Sequence, residues 1–271
     1  MTPYSWILSR SLRSVTSINK SLLRATRLPF STDPSKAGQL AFDEAKAKAA
    51  SESPMKLSMN TLLAHTGLIS GENAPMSPPL HLSSTYTRPP DGTYLESQQI
   101  YSRNDNPTRI QLEETMIRLE THGDERSIDS AVSCAFASGM AGVTMILLAQ
   151  EAPLTVLLPK ALYHGVPTLL ANVFSRFNVI MTQVDMTDAS AVEKAALEVS
   201  TPQAILWMES PTNPLCQVLD IEKLCEIVKK NTVTSPTKFT TIVDSTLCPP
   251  CLTQPLRVSE MNKMTQHHPS L

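Results

Sequence analysis

Ala204-Ile205-Leu206-Trp207-Met208-Glu209-Ser210-Pro211-Thr212-Asn213-Pro214 decides how this chain folds. Five apolar residues run without a break, end at an acid, and pass into a loop with two prolines. A short continuous apolar run bounded by turn signals reads as a strand buried on both faces. The two prolines fix the loop and hold Asn213 in a defined position, although a plain rigid turn has the same composition. The pattern recurs on both sides. Leu154–Leu158 is an apolar run stopped by Pro159, Asn178–Val184 reads as a strand, and Phe239–Val243 is a strand that ends in Asp244. Helical patterns fill the gaps. Arg109–Thr121 is amphipathic, with Ile110, Leu112, Met116, Ile117 and Leu119 among charges, and Gly139–Gln150 reads as a buried helix. Tyr163–Phe174 reads as a helix with Pro167 near its start. Asp188–Val199 and Asp220–Lys230 each open on an aspartate that suits an N-cap. Alternating strands and helices predict an α/β fold, with a mostly parallel sheet and helices on both faces.

In such sheets ligands bind beyond the carboxyl ends of the strands. Three clusters fall at strand ends or helix starts. Ala137-Ser138-Gly139-Met140-Ala141 precedes the buried helix. Small residues there let the backbone approach a ligand, and free N–H groups at a helix start favour an anion such as phosphate. The bland reading is a helix cap. Glu209 to Pro214 follows a strand, as described. Asp244-Ser245-Thr246 also sits at a strand end. A carboxylate aimed out of a sheet can pair with a cationic ring nitrogen or a metal, and equally can form a turn.

Composition narrows the function classes. The chain has 271 residues, enough for one large domain or two ordinary ones. Its 23 basic and 25 acidic residues give a net charge of -2, which removes the electrostatic argument for nucleic-acid binding. No apolar run approaches the ~20 residues needed to span a bilayer. The cysteines, Cys134, Cys216, Cys225, Cys248 and Cys251, are odd in number and widely spaced, so they form no disulfide framework. Cys248-Pro249-Pro250-Cys251 alone has redox spacing, and ordinary reduced thiols are the simpler reading. No metal site is expected; His267-His268 reads as part of a solvated tail.

The two ends differ from the body. Residues 1–32 hold Arg10, Arg13, Lys20, Arg24 and Arg27 with no acid, repeated serines, and apolar residues that can share one helical stripe. That composition predicts an organellar transit peptide, mitochondrion favoured over plastid, with cytoplasm left open. Residues 33–60 read as a linker and N-terminal arm, and residues 257–271 as an unrelated-looking polar tail.

With these motifs in hand, the chain resembles the Cys/Met-metabolism group of pyridoxal-phosphate enzymes, the cystathionine synthases and lyases, from about Thr61 to Leu256. Tyr101-Ser102-Arg103 with Asn106-Pro107-Thr108 is similar to one family segment. Ala137 to Ala141 is similar to its phosphate loop, and Glu209 to Pro214 to its Glu-Ser-Pro-Thr-Asn-Pro. Asp244-Ser245-Thr246 with Gln254-Pro255-Leu256 is similar to its Asp-Asn-Thr segment. The resemblance makes residues 61–256 a partial pyridoxal 5'-phosphate-binding large domain of the fold-type I, PLP-dependent transferase kind, incomplete at the C-terminus. It implies a cofactor site of Tyr101, Arg103, Ser138, Gly139, Met140, Tyr163, Asn213, Asp244 and Thr246. Tyr163 would stack on the ring and exchange a proton with the substrate amine. Asp244 would keep the ring nitrogen protonated, and Asn213 would bond the ring's phenolic oxygen. Tyr101 and Arg103 would reach the phosphate of a neighbouring subunit. The implied partners are a small sulfur amino-acid substrate and a dimer or tetramer, with itself or a paralogue.

The sequence also departs from the family. The family's Schiff-base lysine lies in a Ser-x-Thr-Lys segment downstream of Asp244, and no such segment is present; Lys263 is the only later lysine and its surroundings do not match. The expectation is therefore a transsulfuration-type chain that is inactive as it stands, or a non-catalytic product that pairs with a full-length paralogue. Asp105 and His164 stand where the family has glycine, and Ser245 where it has asparagine.

Overall fold

A computed structural model describes residues 5–8, 57–68, 74–88, 90, 99–122 and 131–258. Most of the first 60 residues, and the tail beyond Val258 with Lys263, His267 and His268, lie outside the described residues. The elements in chain order are β1 (Ser5–Leu8), α1 (Met59–His65), α2 (Pro107–Glu120), β2 (Val132–Ala135), α3 (Gly139–Leu148), β3 (Leu154–Pro159), α4 (Gly165–Asn172), a 3-10 turn at Phe174–Phe177, β4 (Val179–Val184), α5 (Ala189–Leu197), β5 (Gln203–Glu209), α6 (Ile221–Thr234), β6 (Lys238–Asp244) and α7 (Pro255–Val258). The described residues fall into two compact units that divide between Gln111 and Leu112, β1 going with the later one.

The later unit is an α/β layer structure. Four parallel strands stand in the order β4-β3-β5-β6. A separate antiparallel pair joins β1 to β2, with Ser5 opposite Ala135. In the main sheet Leu154 pairs with Val179 on one side and Gln203 on the other, and Glu209 lies level with Asp244. Side chains alternate along each strand, so each face receives every second residue. Val156, Leu158, Ile205, Trp207 and Ile242 pack with Val143, Ile146 and Leu147 of α3 and Val166 and Leu170 of α4. Leu157, Leu206 and Met208 pack on the opposite side with Val192 and Ala196 of α5 and with Ile221, Leu224 and Val228 of α6. Helices on both faces explain why β3 and the Ala204–Met208 run of β5 are mostly apolar: all six residues of β3 are buried. β4, at an edge, is mostly exposed.

Local chemistry sets the helix ends. Asp188 and Asp220 cap α5 and α6, accepting from Ser190 N at 2.9 Å and Lys223 N at 3.1 Å. The helix expected over Tyr163–Phe174 is shorter. It opens at Gly165, stops at Asn172, and is followed by the 3-10 turn, which Asn178 closes at φ 57°. Tyr163 and His164 therefore precede the helix and remain in the loop after β3. Pro167 lies in the first turn, where its missing N–H costs no intrahelical bond.

In the earlier unit Asn106 starts α2. Its Oδ1 accepts from Thr108 N at 3.0 Å and Arg109 N at 3.3 Å, and Pro107 takes the first helical position. Arg109 ties down the preceding loop through the carbonyls of Ser102, at 3.3 Å, and Asn104. Among the described residues no helix is long and apolar enough to cross a membrane.

Candidate functional site

Strand order changes direction between β3 and β5. From β3 the chain crosses to β4 on one side, and from β5 to β6 on the other. A crevice beyond the carboxyl ends is expected at such a switch point. A cavity of about 380 Å³ lies there, lined by residues at the start of α3, the loop after β3, and the ends of β5 and β6. That volume falls in the range that holds small ligands.

Seven of the nine residues singled out from sequence line it: Ser138, Gly139, Met140, Tyr163, Asn213, Asp244 and Thr246. Ser138 caps α3, its Oγ accepting from Ala141 N at 3.2 Å. The amides of Gly139 and Met140, in the first turn, have no intrahelical acceptor. Asp244 ends β6 and is buried. Its Oδ1 accepts from Thr246 N at 3.0 Å and from Thr246 Oγ1 at 2.5 Å, which fixes the carboxylate's direction. The Tyr163 ring is partly exposed, and the His164 ring meets it edge-on at 4.8 Å. Asn213 lies on an exposed loop held at its base, where Thr212 N donates to Gln217 O at 2.9 Å and Leu219 N donates to Ser210 Oγ at 3.0 Å.

Tyr101 and Arg103 belong to the earlier unit. The Arg103 guanidinium lies 4.7 Å over the Tyr101 ring, a cation–π arrangement, and both residues are exposed.

Glu209 is the polar lining residue to which the sequence reading gave no role. It is the last residue of β5 and only 4% exposed. Oε1 and Oε2 accept from Tyr163 N at 3.1 and 2.9 Å, and Oε1 also accepts from Asn213 N at 2.6 Å. Burial raises its pKa; the two amides act the other way, and the neighbouring Asp244 carboxylate adds to the rise. The available signal was an acid closing an otherwise apolar buried strand. Val143, Val166, Pro211 and Leu247 complete the apolar lining. Among the described residues no group of three or more histidines, cysteines and acids is placed to hold a metal ion.

The site combines a buried carboxylate, helix-start amides, an aromatic ring and apolar walls. These suit a flat ligand that carries both a cationic nitrogen and an anionic group. Pyridoxal phosphate has that chemistry, so the residues present fit it.

Comparison with known proteins agrees. A family model described as Cys/Met metabolism PLP-dependent enzyme matches residues 60–260. A cystathionine gamma-lyase of Bacillus subtilis is 32% identical over 197 residues, covering 72% of this chain and 47% of the relative. A cystathionine gamma-synthase of Mycobacterium leprae is 32% identical over 179 residues, covering 66% and 42%. The crystal structure of the cystathionine gamma lyase CalE6 from Micromonospora echinospora superposes with a TM-score of 0.62 at 27% identity, covering 75% of this chain and 49% of that one. That of metB from Corynebacterium glutamicum gives 0.64 at 26% identity, covering 77% and 50%. The chain spans about half the length of the relatives it matches.

Proposed function

The chain belongs to the Cys/Met-metabolism family of pyridoxal-phosphate-dependent enzymes, and from that premise we propose that its cavity is the cofactor site of a transsulfuration-type protein acting on sulfur amino acids. The observation that carries this is the meeting of Asp244, Tyr163 and the start of α3 around one cavity at the sheet's switch point. The names of the relatives, cystathionine gamma-lyase, gamma-synthase and beta-lyase, support the substrate class.

When bound, pyridoxal phosphate supplies an electron sink for bonds broken at the substrate's Cα. The chain's own residues supply the rest. Asp244, fixed by Thr246, holds a proton at the ring nitrogen, because a nearby carboxylate raises that nitrogen's pKa. The amides of Gly139 and Met140 and the Ser138 hydroxyl hold the phosphate at the helix start. Tyr163 stacks on the ring and moves a proton at the substrate's amine nitrogen. Asn213 donates to the ring's phenolic oxygen. Val143, Val166 and Leu247 exclude water from the ring's surroundings. Tyr101 and Arg103, exposed and stacked, serve the phosphate of a neighbouring subunit in a dimer or tetramer. The basic, acid-poor first 32 residues support an organellar address, with mitochondrion ahead of plastid.

The 271 residues hold no Ser-x-Thr-Lys segment after Asp244. A polypeptide of these residues alone therefore binds the cofactor without a covalent link and turns over slowly or not at all. The exposed Tyr101–Arg103 pair favours a second reading, a non-catalytic partner that pairs with a full-length relative. One experiment separates the readings. The chain is loaded with pyridoxal phosphate, reduced with borohydride and mapped by mass spectrometry, and assayed with cystathionine, alone and after co-expression with a full-length relative. No site-specific lysine adduct and no turnover by the chain alone are expected. A stoichiometric adduct at one lysine with turnover overturns the inactive reading, and absence of heteromers overturns the partner reading.

A further inference from the structure

We propose that Glu209 is the positioning residue of this site: one buried carboxylate that sets Tyr163 and Asn213 in a single geometry on the cavity wall. The proposal deepens the cofactor-site reading above and rests on it for its functional consequence.

Tyr163 and Asn213 lie on different loops, 50 residues apart in the sequence. Tyr163 follows β3 and Asn213 follows β5. Neither belongs to a regular element, so the sheet alone does not fix their backbones. Glu209 is the group that both loops share. It ends a strand anchored between β3 and β6, and its register partner on β6 is Asp244. From that fixed point it accepts Tyr163 N at 2.9 and 3.1 Å and Asn213 N at 2.6 Å. The ring and the amide are thus referred to the end of β5, level with Asp244 at the end of β6.

The chemistry asks for a carboxylate in particular. An ionised acid only accepts, and here both of its oxygens face donors. A glutamine at the same place can satisfy one oxygen position but turns an NH2 group toward the Tyr163 amide at the other. Burying an acid beside Asp244 is costly, and apolar side chains fill the preceding five positions of β5, Ala204–Met208. A group that only filled space at this position would not need the charge. The bonds to two loop amides give the charge its use.

The test uses the full chain with Glu209→Gln, Glu209→Asp and Glu209→Ala. Amide hydrogen exchange is followed without cofactor over 160–166, 210–216 and the interior of β5. Pyridoxal phosphate affinity and its induced visible circular dichroism are then measured. In Glu209→Ala the two loop segments are expected to lose protection together, roughly tenfold, while β5 keeps its own. In Glu209→Gln, whose oxygen still accepts from the Asn213 amide, segment 160–166 is expected to lose the more. Cofactor affinity should fall about tenfold with a reduced dichroic band. Glu209→Asp, one methylene short but an acceptor at both oxygens, should recover part of both signals. If Glu209→Ala does not fold, the Gln and Asp variants carry the comparison. Wild-type protection at both loops in Glu209→Gln overturns the proposal. So does loosening of one loop without the other in Glu209→Ala, or lost protection with unchanged affinity and dichroism. Failure of the wild-type chain to bind pyridoxal phosphate at all would instead overturn the cofactor-site reading, while the exchange data would still decide the positioning.

Discussion

A Cβ placed on Gly165 would lie 2.5 Å from Cε1 of Tyr163 and 3.0 Å from Sδ of Met140. Both neighbours line the cavity, so the bare Cα of Gly165 lets the tyrosine ring lie where it does. Gly165→Ala must push the ring aside. With the ring as the proposed stacking surface, the substitution is expected to weaken pyridoxal phosphate binding by about tenfold with little change in melting temperature. A fluorescence titration checks this, and unchanged affinity would argue that Tyr163 does not stack. The His164 ring packs edge-on against Tyr163 and does not line the cavity, so this residue leaves the cavity open. At this scale the sequence was informative where the chemistry is local. Ser138, Gly139, Asp244 and Thr246 sit at a helix start or strand end that can be read from a few neighbours. The tie from Glu209 to Tyr163 joins residues 46 apart and leaves no local trace.

Element by element, legibility followed burial. The strands β3 and β5 were readable because their apolar runs leave few alternatives, β6 because β-branched residues run up to Asp244, and the capping aspartates marked α5 and α6. β1 and β2 were not read as strands. Each has four residues, too few for a period to declare itself. The end of α2 holds a feature that periodicity also misses. Glu120, the helix's last residue, is only 7% exposed, and its Oε2 has no hydrogen-bond partner among the described residues. Burial pushes its pKa from 4.5 to about 7. An acid whose folded pKa is raised favours the fold while it keeps its proton. Between the two values the folded chain holds more protons than the unfolded chain, so stability falls as pH rises across that window. The change is on the order of 3 kcal/mol. Glu120→Gln, which cannot ionise, should remove that part of the slope and exceed wild type in stability above pH 7. Urea denaturation from pH 4.5 to 8 checks this. Parallel curves for the two proteins would show that Glu120 ionises freely.

At the scale of the molecule, the parallel order β4-β3-β5-β6 and the two helical faces explain why the site is where it is. Connections leaving β3 and β5 in opposite directions open a crevice, and each motif after a strand is delivered to its rim. The fold class was legible from alternation alone, and the family from the order of its motifs. The cavity itself was not, since it depends on how α3 meets the sheet end. Equilibrium binding of pyridoxal phosphate to the full chain and to Asp244→Asn, each with inorganic phosphate as competitor, tests the central claim most directly. The account predicts one saturable site per chain, competed by phosphate and weakened at least about tenfold by Asp244→Asn. Absence of saturable binding, or equal affinity in the two proteins, would contradict it.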